Sequence, residues 1–340
     1  MEKNKRKEGT QANPIALLST YRTQLMGIAT LMIIICHTHY TVELPHIIGK
    51  IFNYGNLGVD IFLLLSGIGC YYSLRKRKDK FAFWHRRITR LLIPYLLITL
   101  PFAIFALAIG QENILDFVWR ITAMEFWLYH KGAWFVSLMI PLYLISPFLF
   151  HKMHITNKSR GGGDIAIVIL ISVLFTILSY HRLLDNGQET VISNIQMAIF
   201  RTPSFLIGIA IAPYCKVKNT KIEQIFIAMA IAYLTLRIFK VSIPWLITPI
   251  LSIALAMFCK YIHDKGFIFK LLTIIGGISL ESYLYNIYLG NPINYFLQPY
   301  KPLSEGFQIT EYLVIAFGGL MLAYYSRKYI SILINKYEKL

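Results

Sequence analysis

The stretch GIATLMIIICHTHY, residues 27–40, sets two histidines, His37 and His39, at the end of an otherwise apolar run. An imidazole titrates near neutrality, so it can take a proton from a hydroxyl or carry a transferred group on nitrogen, provided a second group orients it. Asp60, in NLGVDIFLLLSG, is a carboxylate suited to that orienting task, and Ser66 lies on the same run. At the end of a helix, His37 equally suits an interfacial residue bonded to water or backbone, and His39 does so more strongly. Arg201 in QMAIFRTPSFLIG, with Glu281 and Asn286 in GGISLESYLYNIYL, adds polar groups to stretches that otherwise belong in hydrocarbon. Burying a charge there costs ~2.5 kcal/mol or more, so such residues line a wet cavity or pair as structural ions. FAFWHRRITRLLIP offers a different chemistry. Helical spacing groups Arg86, Arg87 and Arg90 on one face, where guanidinium forks can take phosphate oxygens in pairs. An anionic cofactor and anionic lipid headgroups both suit that face, whereas the preceding Arg75 to Lys78 run reads as a plain topological anchor.

These residues need elements to hold them, and composition says which kind. Of 340 residues 56% are hydrophobic and 15% charged, with mean hydropathy +0.54, which excludes a soluble globular domain and predicts an all-α polytopic membrane protein. Apolar runs long enough to cross about 30 Å of hydrocarbon fall at 23–41, 57–74, 91–110, 132–150, 164–181, 194–214, 222–239, 243–259, 271–290 and 311–328. The expected architecture is a bundle of about ten transmembrane helices: a basic N-terminal segment over 1–20, a membrane domain over 21–328 and a tail over 329–340. The N-terminal segment lacks a short apolar core followed by a small-residue cleavage site, so no removed signal peptide is expected.

An even number of spans puts both termini on one side, and loop charge chooses the side. With the termini in the cytoplasm, most of the 34 lysines and arginines lie on that face. The far face keeps Lys50, Arg120, Lys131, Arg182, Arg237, Lys240 and Lys301, and Arg201 stays within a span. The net charge of +17 is then a matter of topology and anionic lipid, and no nucleic-acid partner is expected. Four cysteines lie in separate apolar runs without CxxC spacing, so neither a disulfide framework nor a metal site is expected. Helical rise places His37 about 24 Å from the cytoplasmic end of its helix. Asp60, on the next, antiparallel helix, is expected at matching depth, where the two can pair.

Several stretches in order resemble the acyltransferase-3 family of integral membrane acyltransferases. They are LMGIATLMIIICH, GVDIFLLLSG, FAFWHRRITRLLIPYLL, AWFVSLMIPLYLISPFL, FLIG and GGISLESYLYNIYL, and they cover nearly the whole chain. In the family a basic residue followed by ten residues and a histidine marks the first helix, and Arg-x-x-Arg marks the start of the third. The histidine corresponds to His37 and the second motif to Arg87 and Arg90. The first basic residue is replaced by Met26, and Arg22, one turn earlier, is positioned to stand in for it. The resemblance implies transfer of an acyl group, most often acetyl from acetyl-CoA, to a hydroxyl of an envelope carbohydrate at the bacterial cytoplasmic membrane. It implies His37 as a catalytic group and Arg87 and Arg90 around the acyl-CoA; the placement of the residues adds Asp60 to orient His37 as a second catalytic group, and Arg86 and Arg22 as helpers at the acyl-CoA. Arg201, Glu281, Asn286 and Ser66 would line the cavity, with no metal, and the soluble esterase-like domain of many relatives is not expected. A multi-pass transporter of a small solute, or a proton-coupled carrier, is the alternative from another class. It would also carry intramembrane charge, but no internal repeat relates the two halves of the chain.

The topology has a direct test. Single cysteines at Gln111 and Lys301 should react with an impermeant maleimide in intact cells, and those at Lys78 and Ser159 only after permeabilisation. Labelling of Lys78→Cys in intact cells would reverse the assignment.

Overall fold

The computed structural model describes residues 13–37, 42, 45–76, 79–157, 163–184, 191–217, 219–263, 266–300 and 304–338; His39, Lys78, Ser159, Lys301 and Leu340 lie outside them. Among the described residues all regular structure is helical. The chain begins with α1 (Ala16–Thr20), α2 (Arg22–His37), α3 (His46–Asn53), α4 (Leu57–Lys76) and α5 (Lys80–Ala108). Two short helices, α6 (Ile114–Ile121) and α7 (Glu125–Tyr129), lead to α8 (Trp134–Asn157), α9 (Gly163–Leu184) and α10 (Val191–Ile211). After α11 (Thr220–Ile238) and α12 (Pro244–Tyr261) come α13 (Phe267–Gly277), α14 (Ser279–Tyr288), α15 (Gly290–Leu297) and α16 (Glu305–Tyr337).

Each apolar stretch marked in the sequence falls on one of these helices, but the stretches are not equivalent as spans. Among the described residues six helices are long and apolar enough to cross a membrane, or seven if the bent pair formed by Phe267–Gly277 and Ser279–Tyr300 counts as one. The physical reasons for the lower number differ. With 16 residues, α2 is about 24 Å long, short of a hydrocarbon core. The expected span over 271–290 is broken, its halves bent by 68° on either side of Ile278. The assigned tail is not a separate segment either, because α16 runs on through it to Tyr337. Likewise the end of the N-terminal segment is folded: α1 packs on α12, with Ile15 and Leu18 fully buried.

The chain is a multi-pass membrane protein, and its surface shows why. Leu96, Leu97, Leu100 and Ile104 on α5 and Phe317, Met321 and Tyr325 on α16 are exposed, a density of large apolar side chains that water does not tolerate. The inside is organised around α4, in which every residue from Gly58 to Ile68 is buried. A helix apolar on all sides belongs at the centre of a bundle.

Its closest partner is α10, and glycine sets the separation. A Cβ at Gly208 would fall within the contact shell of Leu64 O, and one at Gly67 within that of Phe205 O, so the backbones touch. A second backbone contact joins α2 to α13, where Gly27 meets Leu272 O and Gly276 meets Thr23 O. Along the α4–α10 seam lies a buried polar network. Arg201 pairs with Asp60 Oδ2, Ser204 Oγ donates to Asp60 Oδ1 at 2.7 Å, and Arg201 Nη2 donates to Asn56 Oδ1 at 2.8 Å. Asp60 is fully buried and Arg201 nearly so, so each is the other's replacement for water.

Two substitutions measure this seam. Gly208→Ala should cost about 1–3 kcal/mol by overpacking, and Asp60→Ala about 3–5 kcal/mol by stranding the Arg201 guanidinium. Unfolding midpoints in detergent would register both, and Asp60→Asn combined with Arg201→Gln should recover part of the second loss. An Asp60→Ala midpoint equal to wild type would show that the pair does not hold the seam.

Candidate active site

One cavity of about 460 Å³ runs between α2, α4, α5, α8, the broken helix α13–α14 and α16. Its walls change character along its length. At the end where α2 and α5 begin and α16 finishes, Arg22, Arg87, Arg90, Tyr143, Ser331 and Asn335 line it. Towards the opposite end the lining is Ile33, Val59, Phe62 and Phe135. Antiparallel packing brings this about: α2 and α5 run away from the basic end, while α4 and α8 run towards it.

The basic end is built on a bare patch of α4. Arg22 Nε donates to Leu65 O at 3.3 Å and Arg87 Nη2 to Gly69 O at 2.5 Å, both carbonyls of α4. A Cβ at Gly69 would sit 3.2 Å from Arg22 Nη2 and 3.5 Å from Arg87 Nη2, so glycine there leaves room for two guanidiniums side by side. Phe83 and Tyr143 flank Arg87, their ring centroids 5.9 and 5.8 Å from its guanidinium carbon. Among the described residues no carboxylate pairs with Arg22 or Arg87. Two like charges held together without a counter-ion make an anion-binding position. The third cation, Arg90, is differently placed: it lies in the open and meets the Glu338 carboxylate with both prongs of its fork, Nη2 at 3.0 Å from Oε2.

Halfway along, the break at Ile278 brings Gly276, Gly277, Ser279 and Leu280 to the cavity wall. Glu281, in the first turn of α14, is 1% exposed and pairs with Arg327 of α16 at 2.5 Å. Both line the cavity. Of the two uses open to a buried charge, lining a wet cavity and pairing as a structural ion, Glu281 shows both, its partner Arg327 standing one residue before the expected end of the last span. The continuing apolar pattern after it, YISILI, was the signal that the helix does not stop at Arg327.

The expected site residues separate into two groups. Arg22, Arg87, Arg90, Ser66 and Glu281 line the cavity, and Met26 does too, one turn beyond Arg22. Arg86, Arg201 and Asn286 are not in its lining. Arg201 belongs to the α4–α10 seam, and Asn286 Nδ2 donates to Ser282 O at 2.8 Å while packing on Gly319 of α16. Where Asp60 was expected to orient His37, both of its oxygens are engaged from α10, by Arg201 and Ser204. On α2 the residues beside Gly58, two before Asp60, are Ala29, Met32 and Ile33, while Cys36 reaches back to Asn53, so His37 lies farther out than Asp60, and the guanidinium of α10 is the stronger partner for a dry carboxylate. His37 is half-buried at the last residue of α2, one turn past Ile33 and so just beyond the apolar end of the cavity.

A second cluster of buried charge lies apart from the cavity. Arg120 of α6 forms pairs with Glu112 and, through its Nε and Nη2, with Glu125 of α7 at 3.3 and 3.1 Å. Burial pushes the Glu112 carboxyl above the usual range, against the pull of Arg120. Arg120 had been counted among the far-face loop charges; only its partners eight residues before and five after show it to be internal.

Among the described residues no group of three or more His, Cys, Asp or Glu is placed to hold a metal ion. No curated protein and no solved structure matches the chain. A family model described as an acyltransferase domain does match, over residues 24–327, a range that reaches all the helices bordering the cavity but leaves out the lining residues Arg22, Thr23, Ser331, Ile334 and Asn335. A fit from the first turn of α2 to Arg327 covers most of the chain, and it makes this protein a member of the acyltransferase-3 family of acyltransferases.

Proposed function

We propose that the protein moves an acyl group, acetyl first among them, from acyl-CoA to a hydroxyl of an envelope glycan or lipid-linked sugar at the bacterial cytoplasmic membrane. In this reading the chain crosses the bilayer about ten times, both termini are cytoplasmic, and the basic end of the cavity opens towards the CoA pool. The observation that carries it is the pair of uncompensated guanidiniums, Arg22 and Arg87, at one end of a cavity whose other end stops one turn short of His37. A nucleotide with several phosphates meets the charge requirement, and Arg22 fills the role left by Met26. Arg90 adds a third donor. Its present partner Glu338 costs little to exchange, since an exposed ion pair contributes about 0–1 kcal/mol.

Dimensions support the same arrangement. Ile33 lies eleven residues beyond Arg22 on α2, about 16 Å along the axis, and extended pantetheine reaches ~15–20 Å by backbone-type bond lengths. Phosphates at Arg22 and Arg87 would leave the thioester near Ile33. From there His37 takes the proton of the acceptor hydroxyl as the oxygen attacks the thioester carbonyl. The C–S bond breaks, and the CoA thiolate leaves to be reprotonated. Alternatively the imidazole nitrogen makes the attack and passes the acyl group on. Both routes need His37. Asp60 serves them at one remove, by holding α4 against α10.

Turnover of labelled acetyl-CoA by membranes carrying the protein tests the assignment. His37→Ala should lower transfer at least about a hundredfold, while His39→Ala leaves most of it. Replacing Arg87 and Arg90 together by Ala should raise the donor KM about tenfold or more, and Lys in their place should restore only part, because an ammonium lacks the two-pronged geometry. An unchanged donor KM in the double variant would return these arginines to lipid anchoring.

A further inference from the structure

The cavity's apolar end has no role yet beyond leading towards His37, and its chemistry is specific enough to select a substrate. We propose that this end is the acyl-group selector: it takes short, uncharged acyl chains, refuses carboxylated ones, and sets the length limit with a wall made by Phe62, Phe135 and Tyr283. The inference rests on the acyl-CoA reading above and goes beyond it by naming which thioesters are used and which side chains decide.

Three observations carry it. First, charge is confined. Arg22, Arg87 and Arg90 stand at the opposite end, and Arg327, the remaining cation of the lining, is neutralised by the buried Glu281. A carboxylated acyl group reaching Ile33 and Val59 would find no counter-charge, and an uncompensated buried carboxylate is strongly disfavoured.

Second, the wall is continuous and fixed. The ring centroids of Phe62 and Phe135 are 6.0 Å apart and those of Phe135 and Tyr283 5.9 Å, the latter edge to face. Tyr283 OH accepts the backbone N–H of Phe135 at 3.1 Å. That amide lies in the first turn of α8, where no carbonyl of the same helix can reach it. The hydrogen bond therefore ties α14 to the start of α8 and locks two of the three rings. Phe62 is held from the other side by α4, the most buried helix in the protein, and is itself 8% exposed.

Third, the wall stands where a thioester would arrive. Phe62 and Val59 face the cavity from α4 and Ile33 from α2, the last lining residue before His37. An acyl chain of increasing length meets these rings rather than open space.

Equilibrium binding to the full chain in detergent tests this without knowledge of the acceptor, using free CoA and non-hydrolysable thioether analogues of acetyl-, butyryl-, hexanoyl- and succinyl-CoA. Wild type should prefer the acetyl over the succinyl analogue at least tenfold and should discriminate against hexanoyl. Phe62→Ala should shift the butyryl-to-acetyl affinity ratio at least tenfold towards butyryl. The ratio cancels any general loss of affinity. If Phe62→Ala gives no folded protein, Val59→Ala must move the ratio in the same direction, by about fourfold for each methylene admitted. Succinyl binding as tight as acetyl, or a ratio unmoved in the folded variants, overturns the selector while leaving the acyl-CoA reading in place. Failure of wild type to bind free CoA at all overturns the acyl-CoA reading itself, and the selector with it.

Discussion

The salt bridge between Asp60 and Arg201 is the constraint on which the rest of the architecture depends. Neither residue would survive alone in so dry a place, and together they are satisfied only if α4 and α10 sit at one separation and one register. Gly67 and Gly208 permit that separation by letting backbone touch backbone. Once α4 is fixed at the centre, Leu65 and Gly69 are fixed with it, and these are the carbonyls on which Arg22 and Arg87 rest. The anion position at one end of the cavity is thus registered against a charge pair nearer the other.

That dependence shapes what electrostatics can achieve here. Arg201 and Arg327 are compensated by Asp60 and Glu281, and Arg120 by Glu112 and Glu125, so these arginines hold helices together. Among the described residues Arg22 and Arg87 meet α4 carbonyl oxygens and each other, with two aromatic faces against Arg87 and no carboxylate paired to either, which leaves their charge available. The paired and unpaired guanidiniums thus differ in what they leave open to a ligand.

Much of the framework was legible in the sequence because apolarity is a local property. The helical stretches, the arginine face of RRITR and the family resemblance all rest on neighbours within a few turns. What depended on distant partners was not. Asp60 was assigned to His37 because sequence order makes α2 and α4 adjacent, whereas Arg201 is 141 positions away and reaches Asp60 through the tertiary fold. Arg327 stands at the end of the expected last span, and only the fold brings Glu281, 46 positions earlier, against it. GGIS was quoted as part of a motif, yet a pair of glycines shows where a helix can break and not whether it does. Asn286, polar and mid-helix, turned out to bond its own preceding turn, a use that composition cannot distinguish from lining a cavity.

The break at Ile278 has a mechanical consequence. On one side of it α13 is fastened to α2 through Gly276 and Gly27; on the other, α14 is fastened to α16 through Glu281 and Arg327. Two backbone hydrogen bonds meet at the joint, Ile278 N to Ile275 O at 3.2 Å and Ser282 N to Ile278 O at 2.8 Å, while the helix direction turns by 68°. The broken helix is therefore tied to two different neighbours, one on each side of a single residue. Rotating a few backbone dihedrals at Ile278 would change the width of the passage between those two neighbours without breaking either attachment.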